Sequence, residues 1–212
     1  LRAIYGTGEE TGMEDMENYF KKNPLPDMAF TPDSDYGICF AEKGILQLEV
    51  STLLNNATTL SQFHAGRAVN AVPDRAYVML DSSDYDEQTL MRIDGLMIIS
   101  RGKAAHACEP DKGYNAAAAL VDLISNVYTT KETGSICSFI DYAINKETNG
   151  RSLGLKMSDA VSGSLTVNLS SVNIEGQIAK AVFDIRYPVT VSGNRVLKQF
   201  KKVAKISDLK VT

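Results

Sequence analysis

The spacing of apolar positions changes character near residue 44. Before it, the apolar run Ala3-Ile4-Tyr5 reads as a strand, and Met13, Met16, Tyr19 and Phe20 recur at three- and four-residue intervals, which predicts a helix over residues 13–22. Asn23-Pro24-Leu25-Pro26 ends that helix, because proline cannot continue the backbone ladder. Met28-Ala29-Phe30-Thr31 and Tyr36-Gly37-Ile38-Cys39-Phe40 read as two further strands around the turn Pro32-Asp33-Ser34-Asp35. The order is βαβ, and a parallel crossover would put the turn after Tyr5 and the turn at Asp33 at one sheet edge.

After residue 44 the texture is antiparallel. Strands are predicted at Ile45–Val50, Arg75–Leu80 and Gly95–Ser100, with room for a short helix from Tyr85 to Ile93. The segment Phe63–Pro73 reads as a polar loop around Val69-Asn70-Ala71-Val72. Helices are predicted over 114–127 and, after a break at Gly134, over 135–145. Two long alternating strands, 165–174 and 177–187, meet at the hairpin signal Glu175-Gly176. A helix over 194–205 and a closing strand at 208–211 complete the pattern. The expected fold is a short α/β piece, residues 1–44, followed by an α+β domain, residues 45–212, built as an antiparallel sheet with helices on one face. The bend Glu42-Lys43-Gly44 is the expected boundary.

Composition narrows the classes. At 212 residues and 44% hydrophobic content the chain can bury a real core. A net charge of -4, with its one basic run at Lys198–Lys205 on a helix face, argues against a nucleic-acid partner. No apolar run approaches a membrane span. Three widely spaced cysteines without CxxC spacing suit a reducing compartment, so the expected location is cytoplasmic. The opening Leu1-Arg2-Ala3-Ile4 reads as a strand already under way, as if the chain were cut there.

The chemistry starts at Gly8-Glu9-Glu10-Thr11-Gly12. Adjacent carboxylates repel, so a turn that keeps them together is offset by a cation or a proton, with one acid carrying protons and the other ligating a metal. The plain alternative is an acidic pair favouring the start of a helix. Asp33 could converge with Glu9 and Glu10 if the βαβ unit forms. There are only two histidines, His64 and His106, neither in HxH, HxD or HExxH spacing, so no complete zinc site can be built from this chain.

His106 lies in a small-residue loop, Gly102-Lys103-Ala104-Ala105-His106-Ala107-Cys108, which could present an imidazole to a developing oxyanion; a loop histidine of no consequence is the alternative. Cys108 beside it raises a cysteine-hydrolase reading, which lacks a third orienting residue and predicts inactivation by thiol alkylation and indifference to chelators. Asn70 can read a peptide group with donor and acceptor together, or simply form a turn. Arg186, at the end of a strand, is either a carboxylate clamp or a surface partner of Asp184. Ser162-Gly163-Ser164 is no GxSxG elbow, and no phosphate loop appears.

Taken together, Gly8-Glu9-Glu10-Thr11-Gly12, Pro32-Asp33, Glu42-Lys43-Gly44, Ala68-Val69-Asn70-Ala71-Val72-Pro73, Gly102-Lys103-Ala104-Ala105-His106-Ala107 and Asp184-Ile185-Arg186-Tyr187-Pro188 resemble, in order, the motifs of metallopeptidase family 20. The chain is most similar to the bacterial dipeptidase PepV branch, which includes carnosinase-like and Xaa-His dipeptidases. The resemblance implies a two-domain enzyme with two zinc ions that hydrolyses dipeptides: part of the zinc-binding catalytic domain over 1–44 and a lid over 45–212. It implies Glu9 as general base, Glu10 and Asp33 as zinc ligands, His106 as oxyanion stabiliser, Asn70 as a substrate-orienting residue and Arg186 as the partner of the substrate carboxylate. The family's HxD pair and bridging Asp before the Glu-Glu motif, and its final His ligand after the lid, cannot be placed here. The chain is therefore expected to be an internal fragment that is inactive by itself. The lid length suits the enlarged, monomeric form, with a lid-mediated homodimer as the other arrangement. A related deacylase or desuccinylase, or a non-catalytic lid-type dimerisation module, are the alternative functions.

Overall fold

The structure is a computed structural model that describes residues 2–8, 13–32, 37, 39–55, 58–80, 96–144 and 146–212. It forms two compact units, Leu1–Cys39 and Phe40–Thr212.

Among its described residues the first unit holds one helix, α1 (Glu14–Phe20), shorter than the sequence suggests. Glu14, Asp15 and Glu17 occupy its first turn, where negative charge meets the positive end of the helix. The Asp15 carboxylate accepts the backbone N–H groups of Thr7 at 2.6 Å and Gly8 at 3.1 Å. These donors, Thr7 foremost, hold its carboxyl below the usual carboxylate range. The strands expected at Ala3–Tyr5 and Met28–Thr31 are not formed, and Cys39 and Phe40 also lie outside any strand. Tyr5, Met28 and Phe30 are 93%, 92% and 86% exposed. A strand is stable only beside a ladder partner, and the described residues of this unit offer none. The βαβ crossover is accordingly absent from the described residues. Glu9, Glu10 and Asp33, whose convergence it was expected to produce, lie outside them.

The second unit is a seven-stranded antiparallel sheet in the order β4-β3-β2-β7-β8-β1-β9. Its strands are β1 (Gly44–Leu53), β2 (Leu60–Ala65), β3 (Arg75–Leu80), β4 (Leu96–Arg101), β7 (Thr166–Glu175), β8 (Ile178–Tyr187) and β9 (Lys210–Val211), and a small hairpin of β5 (Ser158–Asp159) and β6 (Gly163–Ser164) stands apart. β1 and β8 pair in continuous register from Gly44↔Tyr187 to Leu53↔Ile178. β7 and β8 form the expected hairpin, with Gly176 at positive φ in its turn.

β2 includes Phe63–Ala65, where the sequence suggests a loop. Its buried residues are Leu60, Phe63 and Ala65, a spacing that breaks strict alternation because a register shift between Leu60 and Gln62 inserts an extra residue. The helix expected over 85–93 falls outside the described residues.

Helices α2 (Ala116–Val127), α3 (Thr130–Ile144) and α4 (Gly193–Ile206) supply the other half of the core. Within α3 a short helical turn, 130–133, precedes the helix expected after Gly134, and the Glu132 carboxylate accepts the Thr129 N–H and hydroxyl at its start, both at 2.6 Å. The expected break at Gly134 is present, with φ 80° and ψ 158° inside the helix. Val196, Phe200 and Ala204 recur every fourth residue along α4 and are fully buried. Phe200 meets Phe139 of α3 and Phe183 of β8 in an edge-to-face cluster with centroids 5.4–5.8 Å apart. Burial in the same core pushes the Cys137 thiol up to about 12. Among the described residues no helix is long and apolar enough to cross a membrane.

The aromatic cluster has no room to relax around a missing ring, since all three phenylalanines are fully buried. Phe183→Ala is expected to cost about 3–5 kcal/mol of unfolding free energy, measured by urea denaturation, against well under ~1 kcal/mol for an exposed substitution such as Ile178→Thr on the same strand.

Candidate functional site

Three of the residues singled out in the sequence, Asn70, His106 and Arg186, are described: Arg186 pairs with the buried Asp184, and a buried polar network ties down the loops of Asn70 and His106. It begins where β2 ends. Gly66 has φ 77°, and a Cβ at that position would run into the Ser170 carbonyl oxygen. Glycine thus lets the chain leave the sheet pressed against β7. β7 carries a bulge between Leu169 and Ser171, with Ser170 as the extra residue. The Ser170 hydroxyl donates to the Val69 carbonyl at 2.6 Å, and the Asn168 amide donates to the Ala71 carbonyl at 2.9 Å and to Ser170 Oγ at 3.0 Å. Asn115 caps α2 by accepting from the Ala118 N–H at 3.0 Å, while its amide donates to the Leu169 carbonyl at 2.7 Å and to Asn168 Oδ1 at 3.3 Å.

The segment after β4 zips onto this loop. The N–H of Val72 donates to the Ala105 carbonyl and the N–H of Ala107 to the Asn70 carbonyl, both at 2.9 Å, so that Ala71 and His106 stand opposite each other as an antiparallel bridge. Further along, Lys103 and Tyr114 exchange backbone bonds at 2.9 Å, and the Ala116 N–H reaches the Pro73 carbonyl at 2.8 Å. Ala107 is buried beneath, Asn70 is half-buried and His106 is exposed. His106 Nδ1 accepts the Cys108 N–H at 3.2 Å and lies 2.9 Å from Cys108 Sγ.

Arg186 sits near the end of β8. Its Nε donates to Asp184 Oδ1 at 2.6 Å and its Nη2 to Oδ2 at 3.1 Å, a two-bond fork. The Asp184 side chain has no exposure and that of Arg186 only 13%, so this is a sheltered pair and not the surface pair that i, i+2 spacing alone suggests. Gln47 adds a contact to Oδ2 at 3.4 Å. In register, Asp184 lies between Gln47 of β1 and Asn168 of β7. Asn168 is therefore the link: it holds the Asn70–His106 loops by its side chain and stands on the strand beside Asp184. With Nε and Nη2 fixed by Asp184, Nη1 retains hydrogens for an anionic oxygen.

His64 of β2, the other histidine, lies beside Tyr77 with ring centroids 5.0 Å apart and tilted by 38°, and 3.7 Å from Glu175 of β7, outside this network. Among the described residues, no group of three or more His, Cys, Asp and Glu side chains could hold a metal ion. Two cavities, about 410 Å³ against Ser125, Tyr128 and Asp141 and about 660 Å³ against Leu155, Met157 and Lys198, are lined by none of the candidate residues. His106 is thus exposed on its loop, Asn70 is half-buried beside it, and Arg186 is sheltered against Asp184 on β8. Sequence reading missed Asn115, Asn168 and Ser170. The first was findable as an N-cap before the alanine run; the other two were hidden in a strand whose bulge the sequence did not signal.

No protein-family model matches the chain. It is 29% identical to "Putative dipeptidase YtjP" of Bacillus subtilis, over 96% of this chain and 49% of that protein. Proteins of Staphylococcus haemolyticus and Staphylococcus saprophyticus named as dipeptidases in the same way are 25% and 24% identical, over 97% and 95% of this chain and 49% and 48% of their own length. A crystal structure of aminoacylhistidine dipeptidase from Vibrio alginolyticus shares 14% identity, with a TM-score of 0.39 over 82% of this chain and 40% of that one. The chain spans about half the length of the curated relatives it matches. Over nearly all of its own length the chain is similar to bacterial proteins named as dipeptidases.

Proposed function

We propose that this chain is part of a zinc-dependent dipeptidase, with residues 1–44 an edge of the catalytic domain and residues 45–212 the lid. The observation that carries this reading is similarity to dipeptidase-named relatives over 96% of the chain, through both units. Glu9 is the general base, which takes a proton from the attacking water and returns it to the leaving amine. Glu10 and Asp33 are offered to zinc. Zinc supplies Lewis-acid polarisation of the scissile carbonyl to such a site. The described residues assemble no metal cluster, and the roles derived from them below are independent of the ion.

His106 donates from its exposed ring to the oxyanion that forms on the carbonyl oxygen. Asn70, joined to His106 through the loop pairing, orients the peptide group. Arg186 receives the C-terminal carboxylate on Nη1, its guanidinium already oriented by Asp184, so little rotamer entropy is lost on binding. The exposure of Tyr5, Leu25, Met28 and Phe30 supports a first unit that is covered by further structure in the whole protein. The chain by itself is expected to be inactive.

The full-length protein should hydrolyse dipeptides, lose that activity on chelation and regain it with zinc; full activity without metal would overturn the assignment. In the same protein Glu9→Ala should abolish turnover while zinc content is retained, and loss of zinc instead would exchange the roles of Glu9 and Glu10. Arg186→Met should raise KM for free dipeptides by roughly ten- to a hundredfold, the factor that the loss of ~1.5–3 kcal/mol from a charged hydrogen bond carries. The same substitution should raise KM for C-terminally amidated dipeptides far less, because the loss of the buried Asp184's partner acts on both substrates alike. Equal effects on both substrates would remove Arg186 from the carboxylate site.

A further inference from the structure

Cys108 has no part in the chemistry described so far, yet two of its atoms converge on one nitrogen of His106. The backbone N–H of Cys108 lies 3.2 Å from Nδ1 and its Sγ 2.9 Å from the same atom. A backbone N–H can only donate, so Nδ1 must present a lone pair. In a neutral imidazole that places the ring proton on Nε2. With Nδ1 unprotonated, the contact to Sγ is an S–H donating to nitrogen, and both Cys108 groups then act in one direction. A thiolate–imidazolium pair would put a proton on Nδ1 facing the Cys108 N–H, two donors head to head, so the turn opposes the charge separation that a cysteine nucleophile requires.

The surrounding backbone keeps this arrangement in place. Ala107, between the two residues, is fully buried and its N–H is held by the Asn70 carbonyl at 2.9 Å. On the other side the Glu109 N–H returns to the His106 carbonyl at 3.0 Å, and Pro110–Lys112 follow as a 3₁₀ turn. Cys108 is half-buried, whereas His106 is exposed.

We infer that Cys108 is a positioning residue: its thiol and backbone N–H together fix His106 in the tautomer that carries its proton on the outward nitrogen, Nε2. This rests on the reading of His106 as an oxyanion donor, and it gives that donor a defined hydrogen and direction. A thiol at this position is a donor for Nδ1, where sequence inspection suggests a nucleophile.

The test is the imidazole ¹⁵N spectrum of His106 in this 212-residue chain, recorded well above the ordinary imidazole titration range. Native protein, Cys108→Ala and Cys108→Ser are compared. The native chain should show protonated Nε2 and bare Nδ1. In Cys108→Ala the ratio of Nε2–H to Nδ1–H forms should fall about fivefold, the factor carried by one ordinary hydrogen bond of ~1 kcal/mol. Cys108→Ser, which restores a donor, should recover most of it. A dominant Nδ1–H form or a doubly protonated ring in the native chain overturns the inference, as does a ratio that is the same in all three proteins. Because the readout is a tautomer and not turnover, it stands or falls separately from the zinc test: a tautomer shift in a protein indifferent to chelators would remove the dipeptidase reading alone.

Discussion

The placement of the loops that carry Asn70 and His106 depends on satisfying the polar groups at the β7 bulge. Ser170 and Asn168 are 0% and 2% exposed, and a buried hydroxyl or amide without a partner costs on the order of 1–3 kcal/mol. The sheet cannot supply those partners, because Ser170 is the residue that the bulge leaves out of register. The carbonyls of Val69 and Ala71 and the amide of Asn115 supply them instead. The result is a reciprocal constraint: the loops cannot lift without orphaning the bulge, and the bulge cannot be buried without the loops. Gly66 makes the approach sterically possible.

That constraint turns flexible loop residues into placed ones. Asn70 and His106 are joined to each other by backbone pairing and to β7 by Asn168, and the neighbour of Asn168 across the ladder is Asp184, which holds Arg186. The backbone of the Asn70 and His106 loops is thus tied to the sheet, and the Arg186 guanidinium is oriented on it by Asp184. Such pre-organisation is what positioning contributes to catalysis. A buried ion pair such as Asp184–Arg186 is a weak source of stability, and its value here lies in aiming one nitrogen of the guanidinium.

The sheet was legible where a long strand keeps apolar residues on one face over most of its length, even around a bulge such as that of β7. β1, β3, β7 and β8 announce themselves because one face must be apolar to meet the helices, and the four-residue spacing of Val196, Phe200 and Ala204 does the same for α4. Legibility failed in the short β2, which was hidden because Leu60, Phe63 and Ala65 do not alternate, and the roles of Asn168 and Ser170 were hidden in the β7 bulge. It also failed in the first unit, where apolar runs such as Ala3-Ile4-Tyr5 and Met28-Ala29-Phe30 have strand character but no ladder to join. Local pattern specifies what a segment can become, and its neighbours decide whether it does. Of the candidate site, His106, Asn70 and Arg186 were recognisable from their motifs, while the network that unites them links residues as much as a hundred positions apart.

The central claim is that His106, Asn70 and Arg186 form one substrate-facing wall. Its most direct test is a crystal structure of the full-length protein with a phosphinic dipeptide analogue, whose tetrahedral oxygens stand in for the oxyanion. The account predicts His106 Nε2 within hydrogen-bond distance of a phosphinate oxygen and Arg186 Nη1 on the terminal carboxylate, with the Asn168 contacts to the loop unchanged. An analogue bound with its carboxylate away from Arg186 and its phosphinate away from His106 would contradict it.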